Sequence, residues 1–169
     1  MKRVVVFFGA GGSNFLNLIE KEKDHNYKII YGITNKKNSE AIKKANVPIL
    51  VSEDFDEILK KLKELNPDLI VLAGFLKILP KEIIKEFQNK IINLHPSILP
   101  EFKGLNAHKR SFEAKKACGI TIHYAVEELD SGDIILQYHI NPENLSFEEF
   151  FKKLKKAEHT FLPQVVDII

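Results

Sequence analysis

The sequence predicts an α/β fold in which helices cover both faces of a mostly parallel β-sheet. Short apolar runs alternate with stretches whose apolar residues recur at helical spacing, and a glycine-rich turn follows the first run. The runs are rich in β-branched and aromatic residues, which is typical of parallel strands buried on both faces. The predicted parallel strands comprise residues 4–8, 27–33, 48–51, 69–73 and 91–94.

Helices are predicted between and after these strands. They cover residues 15–19, 39–45, 53–65, 80–87 and 108–116. We expect Ser52 to cap the third helix, ahead of an acidic first turn, and Pro80 to begin the fourth. The apolar spacing of each stretch predicts one face directed at the sheet.

The last predicted helix opens with a capping box formed by Ser146 and Glu149. Its predicted inward face consists of Phe147, Phe150, Phe151, Leu154, Phe161 and Leu162. We expect Pro163 to break or kink this helix, because proline lacks an amide donor and clashes with the preceding turn.

Two further strands, at residues 119–126 and 133–139, close the predicted sheet. The acidic connection between them is too short for a crossover helix, so we expect the pair to be antiparallel. The predicted class is therefore α/β, with a mostly parallel sheet flanked by helices and an antiparallel pair at its C-terminal side.

The composition is that of an ordinary globular protein, and its 169 residues are expected to form one domain, residues 1–169. A net charge of +2 is too small to indicate a nucleic-acid partner, and no apolar run approaches the roughly 18 residues of a membrane span. The single cysteine, Cys118, cannot form an internal disulfide, which suits the cytoplasm. We interpret it as a small buried residue rather than a nucleophile.

A glycine-rich segment, residues 9–14, follows the first strand and leads into a helix. The free amides of such a helix start, with Ser13 and Asn14 as added donors, form an anion site suited to phosphate. The alternative is a tight connection with no ligand. No acidic residue ends the second strand and no Gly-Lys-Ser/Thr is present, so neither a dinucleotide site nor an NTPase loop is indicated.

Asn93 and His95 stand two residues apart at the end of the fifth strand, so they should leave it on one face. An imidazole kept protonated by a carboxylate, beside an amide, can stabilise an oxyanion; Asp130 is the best-placed acid. This combination suits acyl transfer, and because no nucleophile elbow is present, the transfer would be direct. The histidines lack paired ligand spacing, so metal is disfavoured, and His123 is interpreted as a packing residue.

The loop at residues 74–80 follows the fourth strand and is unusually apolar. It is expected to run over the same sheet edge as His95. Two interpretations remain open, a part of the core or the wall of a pocket for a flat aromatic ligand.

Several motifs together resemble the folate-dependent formyltransferase family, and within it the glycinamide ribonucleotide formyltransferases. They are Gly12-Ser13-Asn14, Leu72-Ala73-Gly74-Phe75, residues 93–100 (Asn-Leu-His-Pro-Ser-Ile-Leu-Pro), Gly104, residues 128–132 (Glu-Leu-Asp-Ser-Gly) and Ile135-Leu136-Gln137. The resemblance covers nearly the whole chain. It departs from the family in a short segment at residues 35–51 and an early end at Ile169.

The resemblance implies a Rossmann-like fold, 10-formyltetrahydrofolate as co-substrate, no metal, and formylation of glycinamide ribonucleotide in purine biosynthesis. The implied catalytic residues are Asn93, His95 and Asp130. The implied phosphate and ribose residues are Gly11, Gly12, Ser13, Asn14, Lys155 and Glu158. The implied folate residues are Phe75, Lys77, Ile78, Leu79, Val126, Glu127 and Glu128.

Three other functions remain open at this point. Within the family they are hydrolysis of 10-formyltetrahydrofolate and formylation of another amino sugar nucleotide. Outside it, the glycine loop alone would suffice for a non-catalytic phosphate-sugar binding module, in which Asn93 and His95 would have no purpose. The sequence predicts small-molecule substrates and gives no oligomeric state.

Overall fold

A computed structural model describes residues 1–169 and contains one seven-stranded sheet. The strands are β1 (Lys2–Phe8), β2 (Tyr27–Thr34), β3 (Ile49–Val51), β4 (Leu69–Ala73), β5 (Ile91–His95), β6 (Gly119–Tyr124) and β7 (Ile134–His139). The helices are α1 (Ser13–Lys21), α2 (Glu40–Lys44), α3 (Phe55–Leu65), α4 (Lys81–Glu86), α5 (Ala107–Ala114) and α6 (Phe147–Ile168). None of the helices combines the length and hydrophobicity needed to cross a bilayer.

The strand order is β3-β2-β1-β4-β5-β6-β7. Strands β1 to β5 are parallel, β6 is antiparallel to β5, and β7 is antiparallel to β6. The predicted fold class is confirmed, including the antiparallel pair. The order also brings the carboxyl ends of β1, β4 and β5 to one edge, where ligands of open α/β sheets bind.

Each face of the sheet has its own apolar core because the parallel strands contain runs of consecutive apolar residues, such as Val4 to Phe8. In β1, Val4, Val6 and Phe8 join a cluster that α1 and α6 cover. Val5 and Phe7 point to the opposite face and join a cluster that α3 and α4 cover. Period-two alternation in an uninterrupted apolar run therefore supplies both layers.

The N-cap of α3 differs from the prediction. The cap is Asp54, whose carboxylate accepts from the amides of Asp56 and Glu57, rather than Ser52. The Ser52 hydroxyl instead accepts from the Asp54 amide at 3.0 Å and donates to the Glu57 carboxylate at 2.6 Å. Ser52 therefore fixes the approach of the chain to the helix, and the cap is the residue directly before its first turn.

The predicted inward face of α6 is too wide. Phe150, Leu154 and Leu162 are buried, whereas Phe147 and Phe151 are 36% and 37% exposed. The rings of these two phenylalanines pack beside His108, on α5, instead of against the sheet. The capping box is present as predicted, with Ser146 and Glu149 exchanging side-chain to backbone hydrogen bonds.

Helix α6 continues through Pro163, so of the two expected effects, a break or a kink, the break is wrong. A proline at this position cannot donate to the carbonyl of His159, four residues earlier. The side-chain amide of Asn17 on α1 donates to that carbonyl at 2.9 Å. A side chain of a neighbouring helix thus supplies the hydrogen bond that the proline removes.

We expect Asn17→Ala to lower the free energy of unfolding by about 1–2 kcal/mol, because it leaves a partly buried carbonyl without a donor. Pro163→Ala restores a backbone amide at the position that reaches His159, so the same Asn17 substitution should cost less in that background. Urea denaturation of the four proteins measures both costs. An equal loss of unfolding free energy in the two backgrounds would contradict the conclusion that Asn17 replaces the amide donor that Pro163 lacks.

Candidate active site

Asn93 and His95 lie on the same face of β5, as their spacing predicts. The pairing of the strands places Leu72 of β4 and His123 of β6 on either side of Asn93. His95 in turn pairs with Thr121 of β6, so the four residues of these two β5–β6 pairs are all polar. His95 and His123 are buried, with 4% and 2% of their surface exposed.

Asp130 reaches these residues by an unexpected path. Because β6 is antiparallel to β5, the loop after β6 begins beside Ile91, whose carbonyl accepts from the amide of Ala125. The loop folds back over the face of the sheet and brings the Asp130 carboxylate to 3.6 Å from Nδ1 of His95. The site therefore lies on the sheet face, not only beyond the strand ends.

The two ring nitrogens of His95 face different partners. Nε2 lies 2.9 Å from the carbonyl oxygen of Phe102, which can only accept, so Nε2 carries a proton. Nδ1 faces Asp130 Oδ2 at 3.6 Å, which exceeds the usual hydrogen-bond length of about 2.7–3.2 Å. A proton on Nδ1 is therefore attracted by the carboxylate yet remains free to be donated elsewhere.

The side chain of Asp130 is 5% exposed. The backbone of the residue is in the left-handed conformation, with φ 51°. Its Oδ2 accepts from the backbone amide of Gly104 at 2.8 Å, and its Oδ1 lies 3.5 Å from Nδ2 of Asn93. A buried carboxylate needs such partners to remain ionised. Asp130 thus links the loop at Gly104 to both polar residues of β5.

His123 belongs to this cluster, which the sequence interpretation as a packing residue missed. Its Nδ1 donates to the carbonyl of Tyr124 at 2.9 Å, and its Nε2 accepts from Nδ2 of Asn93 at 3.2 Å. Burial lowers the pKa of His123, although the backbone bond to Tyr124 and the charge of Asp130 oppose this. A neutral ring keeps its acceptor and so orients the Asn93 amide. The pairing of Asn93 with His123 in the β5–β6 register is the information that would have identified His123 as part of the cluster.

A second group of predicted residues meets where α1 packs against α6. Asn14 and Lys155 each donate to Oε2 of Glu158 at 2.9 Å, and Asn14 and Glu158 are buried. Gly12 caps α1 with φ 68°, which favours glycine. Gly11 and Ser13 are exposed beside it. The first amides of α1 lack helical acceptors and are available to an anion.

His159 is a member of this second group that the sequence did not indicate. Its Nε2 lies 3.3 Å from the hydroxyl of Ser13. Burial lowers its pKa, and Lys155 lowers it further while Glu158 raises it. Its position one residue after Glu158 on a helix that faces α1 is a tertiary property, which sequence spacing alone does not reveal.

The predicted folate residues occupy two loops on the α3 and α4 side of the sheet. Phe75 is half-buried and packs edge-on against Phe7, with ring centroids 5.1 Å apart. Ile78 is 67% exposed, whereas the side chain of Leu79 is 8% exposed and belongs to the core. Lys77, Glu127 and Glu128 are exposed, as is Val126. Leu76, 63% exposed, adds apolar surface that was not anticipated.

Other reactive side chains lie outside these two groups. Cys118 is buried, and burial raises the pKa of its thiol. No group of three or more His, Cys, Asp or Glu side chains is arranged to hold a metal ion. The peptide bond before Pro100 is cis.

Comparison with known proteins gives a consistent result. The sequence matches the family described as Formyl transferase over residues 2–166. It is 34% identical, over 183 residues, to phosphoribosylglycinamide formyltransferase of Haemophilus influenzae, covering 98% of this chain and 86% of the relative. It is also 34% identical, over 184 residues, to the trifunctional purine biosynthetic protein adenosine-3 of Gallus gallus, of which it spans 18%.

A solved structure has the same fold. The crystal structure of phosphoribosylglycinamide formyltransferase from Anaplasma phagocytophilum matches with a TM-score of 0.91 at 33% identity. The match covers 98% of this chain and 85% of the other.

The lowered pKa of His123 predicts how stability depends on pH. The unfolded chain takes up a proton near the ordinary value of 6.5, whereas the folded protein resists it, so the unfolding free energy should fall as pH drops below 6.5. His123→Asn should flatten this slope by up to about 1.4 kcal/mol per pH unit. Urea denaturation between pH 7.5 and 5.5 measures the slope, part of which remains because the pKa values of His108 and His159 are also lowered. The same slope in both proteins would contradict the assignment.

Proposed function

Because the chain belongs to the formyl transferase family, and within it to the phosphoribosylglycinamide formyltransferases, we propose that it transfers a formyl group from 10-formyltetrahydrofolate to the amine of glycinamide ribonucleotide. The observation that carries the proposal is the cluster of Asn93, His95 and Asp130 on one face of the sheet. The step belongs to purine biosynthesis. Residues 1–169 would act as one domain.

The reaction is a direct transfer between two bound substrates. The amine nitrogen attacks the formyl carbon, and the carbonyl oxygen becomes the oxyanion of a tetrahedral intermediate. The bond from that carbon to N10 of the folate then breaks, and the proton that the amine loses ends on N10. No nucleophilic side chain of the protein is required.

His95 and Asn93 are suited to hold the oxyanion. A proton on Nδ1 of His95 is drawn by Asp130 but is not consumed by a short hydrogen bond to it. One proton of the Asn93 amide is held by His123 at 3.2 Å, and the other faces Asp130 at a long 3.5 Å. Two preorganised donors thus remain for an oxygen that gains charge in the transition state.

Asp130 would orient the imidazole of His95 and accept protons through water. Its carboxylate lies 3.6 Å from Nδ1 of the ring, where it attracts a proton carried by that nitrogen. Its second contact, with the amide of Gly104, holds the carboxylate in place during the reaction. A general acid or base at this position contributes about 10²–10⁴-fold to the rate.

The phosphate of the ribonucleotide would bind at Gly11, Gly12, Ser13 and Asn14, with Lys155 and Glu158 toward the ribose. Only β4 separates β1 from β5, so the ends of these strands lie about 10 Å apart, at roughly 4.8 Å per strand. That distance suits a substrate whose phosphate lies at α1 and whose amine reaches His95. The basic Lys155 balances the buried charge of Glu158.

The folate would occupy the surface between the 74–80 loop and residues 126–128. Phe75, Ile78 and Val126 offer apolar side chains to a flat ring, and Lys77, Glu127 and Glu128 offer polar ones. Leu79 would contribute through its main chain, because its side chain is packed in the core. We place the protein in the cytoplasm, consistent with a single buried cysteine.

An assay with both substrates tests the function. The protein is incubated with 10-formyltetrahydrofolate, with and without glycinamide ribonucleotide, and both tetrahydrofolate release and formylated product are measured. We expect product only with the amine present. Tetrahydrofolate release without the amine would favour a hydrolase, and no turnover in either case would favour a binding module.

Substitution of the glycine loop tests the phosphate site. At Gly12 a Cβ would lie 2.4 Å from that of Ala41, so any substitution there disturbs packing, whereas a Cβ at Gly11 meets nothing within 4 Å. Gly11→Asp should raise KM for the ribonucleotide about tenfold or more through charge repulsion, with KM for the folate unchanged. Gly11→Asn is the matched neutral control and should have a smaller effect. Equal effects on both substrates would remove the phosphate assignment.

Neutralising the buried carboxylate tests the catalytic assignment. Asp130→Asn keeps the shape and the contact with Gly104 but removes the charge beside His95. We expect kcat to fall roughly 10²–10⁴-fold while the folate still binds. Asp133→Asn, an exposed neighbour, is the matched control and should retain activity. Near-normal turnover of Asp130→Asn would make Asp130 a turn residue.

A further inference from the structure

The loop that joins β5 to α5 follows an unusual backbone path beside the imidazole of His95. Phe102 and Asn106 have φ values of 56° and 55°, and Gly104 has φ 86°. Phe102 and Asn106 carry side chains, and residues with side chains rarely adopt this left-handed region. Such a backbone persists only where surrounding contacts fix it.

Arg110 supplies three of these contacts. Its Nε donates to the carbonyl of Leu105 at 3.0 Å, and its Nη2 donates to the carbonyls of Lys103 at 2.5 Å and Phe102 at 3.3 Å. The guanidinium also lies 5.7 Å from the centre of the Phe102 ring. The rigid fork of donors therefore binds three carbonyls of one short loop.

The carbonyl of Phe102 accepts from both Arg110 and His95, and the hydroxyl of Ser97 lies 3.5 Å from the same oxygen. His95 Nε2 donates to the same oxygen at 2.9 Å. Since Arg110 fixes this oxygen, it also fixes the direction of the Nε2 proton, and hence the direction of Nδ1 toward Asp130. The same loop presents the Gly104 amide to Asp130 at 2.8 Å.

The position of Arg110 in α5 is not explained by the helix itself. Arg110 is the fourth residue of α5, near the positive end of the helix dipole, where basic residues are unfavourable. Lys109, its neighbour, is exposed and makes no side-chain hydrogen bond, whereas Arg110 is half-buried against the loop. The contacts with the loop account for an arginine at this position.

We propose that Arg110 is a positioning residue for formyl transfer, holding residues 102–105 so that the Phe102 carbonyl keeps Nδ1 of His95 directed at Asp130 and the reacting oxygen. The proposal rests on the proposed function. Arg110 acts through His95 and does not itself touch the reacting atoms.

Steady-state kinetics of three variants provide the first test. Arg110→Ala should lower kcat roughly 10- to 100-fold, as misplacement of a reacting group does, while both KM values stay within about twofold. Arg110→Lys should also lose most of kcat, because one ammonium cannot hold three carbonyls. Lys109→Ala removes a neighbouring charge as a matched control and should retain wild-type kcat. A full kcat in Arg110→Lys, or an equal loss in Lys109→Ala, would overturn the proposal.

Histidine-ring NMR provides a measurement that does not depend on turnover. The Nε2 proton of His95, assigned by its absence in His95→Gln, should be protected from solvent exchange in the wild type. In Arg110→Ala its exchange should accelerate at least about tenfold, as expected for a loosened hydrogen bond. An unchanged exchange rate would show that Arg110 does not position the ring, whatever happens to kcat.

The two proposals can fail separately. If the wild type transfers formyl groups and Arg110→Ala is equally active, the role of Arg110 is wrong and the function stands. If the wild type transfers none, but Arg110→Ala exposes the His95 proton, the function is wrong and the link between Arg110 and His95 stands.

Discussion

The candidate active site depends on one buried carboxylate, that of Asp130. An ionised carboxylate out of water is costly unless several partners surround it, and removing one member of such a set leaves the others unpaired. Here the partners are His95, Asn93 and the amide of Gly104. They come from a strand and a loop far from Asp130 in sequence, so the carboxylate links segments that are distant along the chain.

The direction of β6 makes this arrangement possible. A parallel sixth strand would place its following loop beyond the carboxyl edge, away from the middle of β5. The antiparallel strand instead opposes His123 to Asn93 and starts the next loop beside Ile91. The loop between β6 and β7 then covers the polar side chains of Asn93 and His95, in the place where a helix would otherwise cover the sheet. The antiparallel direction of β6 thus accounts both for the pairing of His123 with Asn93 and for the loop that covers them.

Much of the fold followed from local patterns in the sequence. Apolar runs and helical spacing gave the parallel strands and helices, and a short connection gave the antiparallel pair. The cap of α3 was misplaced because Ser52 and Asp54 are both good capping residues two positions apart. Phe147 and Phe151 were expected to face the sheet because the helical spacing of apolar residues shows which of them share one face of α6. The spacing does not show how much of that face the rest of the protein covers.

The site was less predictable because most of its contacts are long-range. The spacing of Asn93 and His95 was sufficient to place both on one face. The role of His123 depends on strand register, and the contacts of His159 and Arg110 depend on how helices approach loops. Asn14 and Glu158 meet across 144 positions of sequence, and only the resemblance to a known family joined them in advance.

The proline within α6 has a consequence for the orientation of that helix. It leaves the carbonyl of His159 without a backbone donor, and Asn17 can donate to that carbonyl only if this side of α6 faces α1. Successive residues of a helix are about 100° apart around its axis, so turning α6 by one residue would carry Glu158 away from Asn14. The proline, through the hydrogen bond from Asn17 that it requires, therefore fixes the rotation of α6 about its own axis relative to α1. That rotation sets the direction in which Lys155, Glu158 and His159 face.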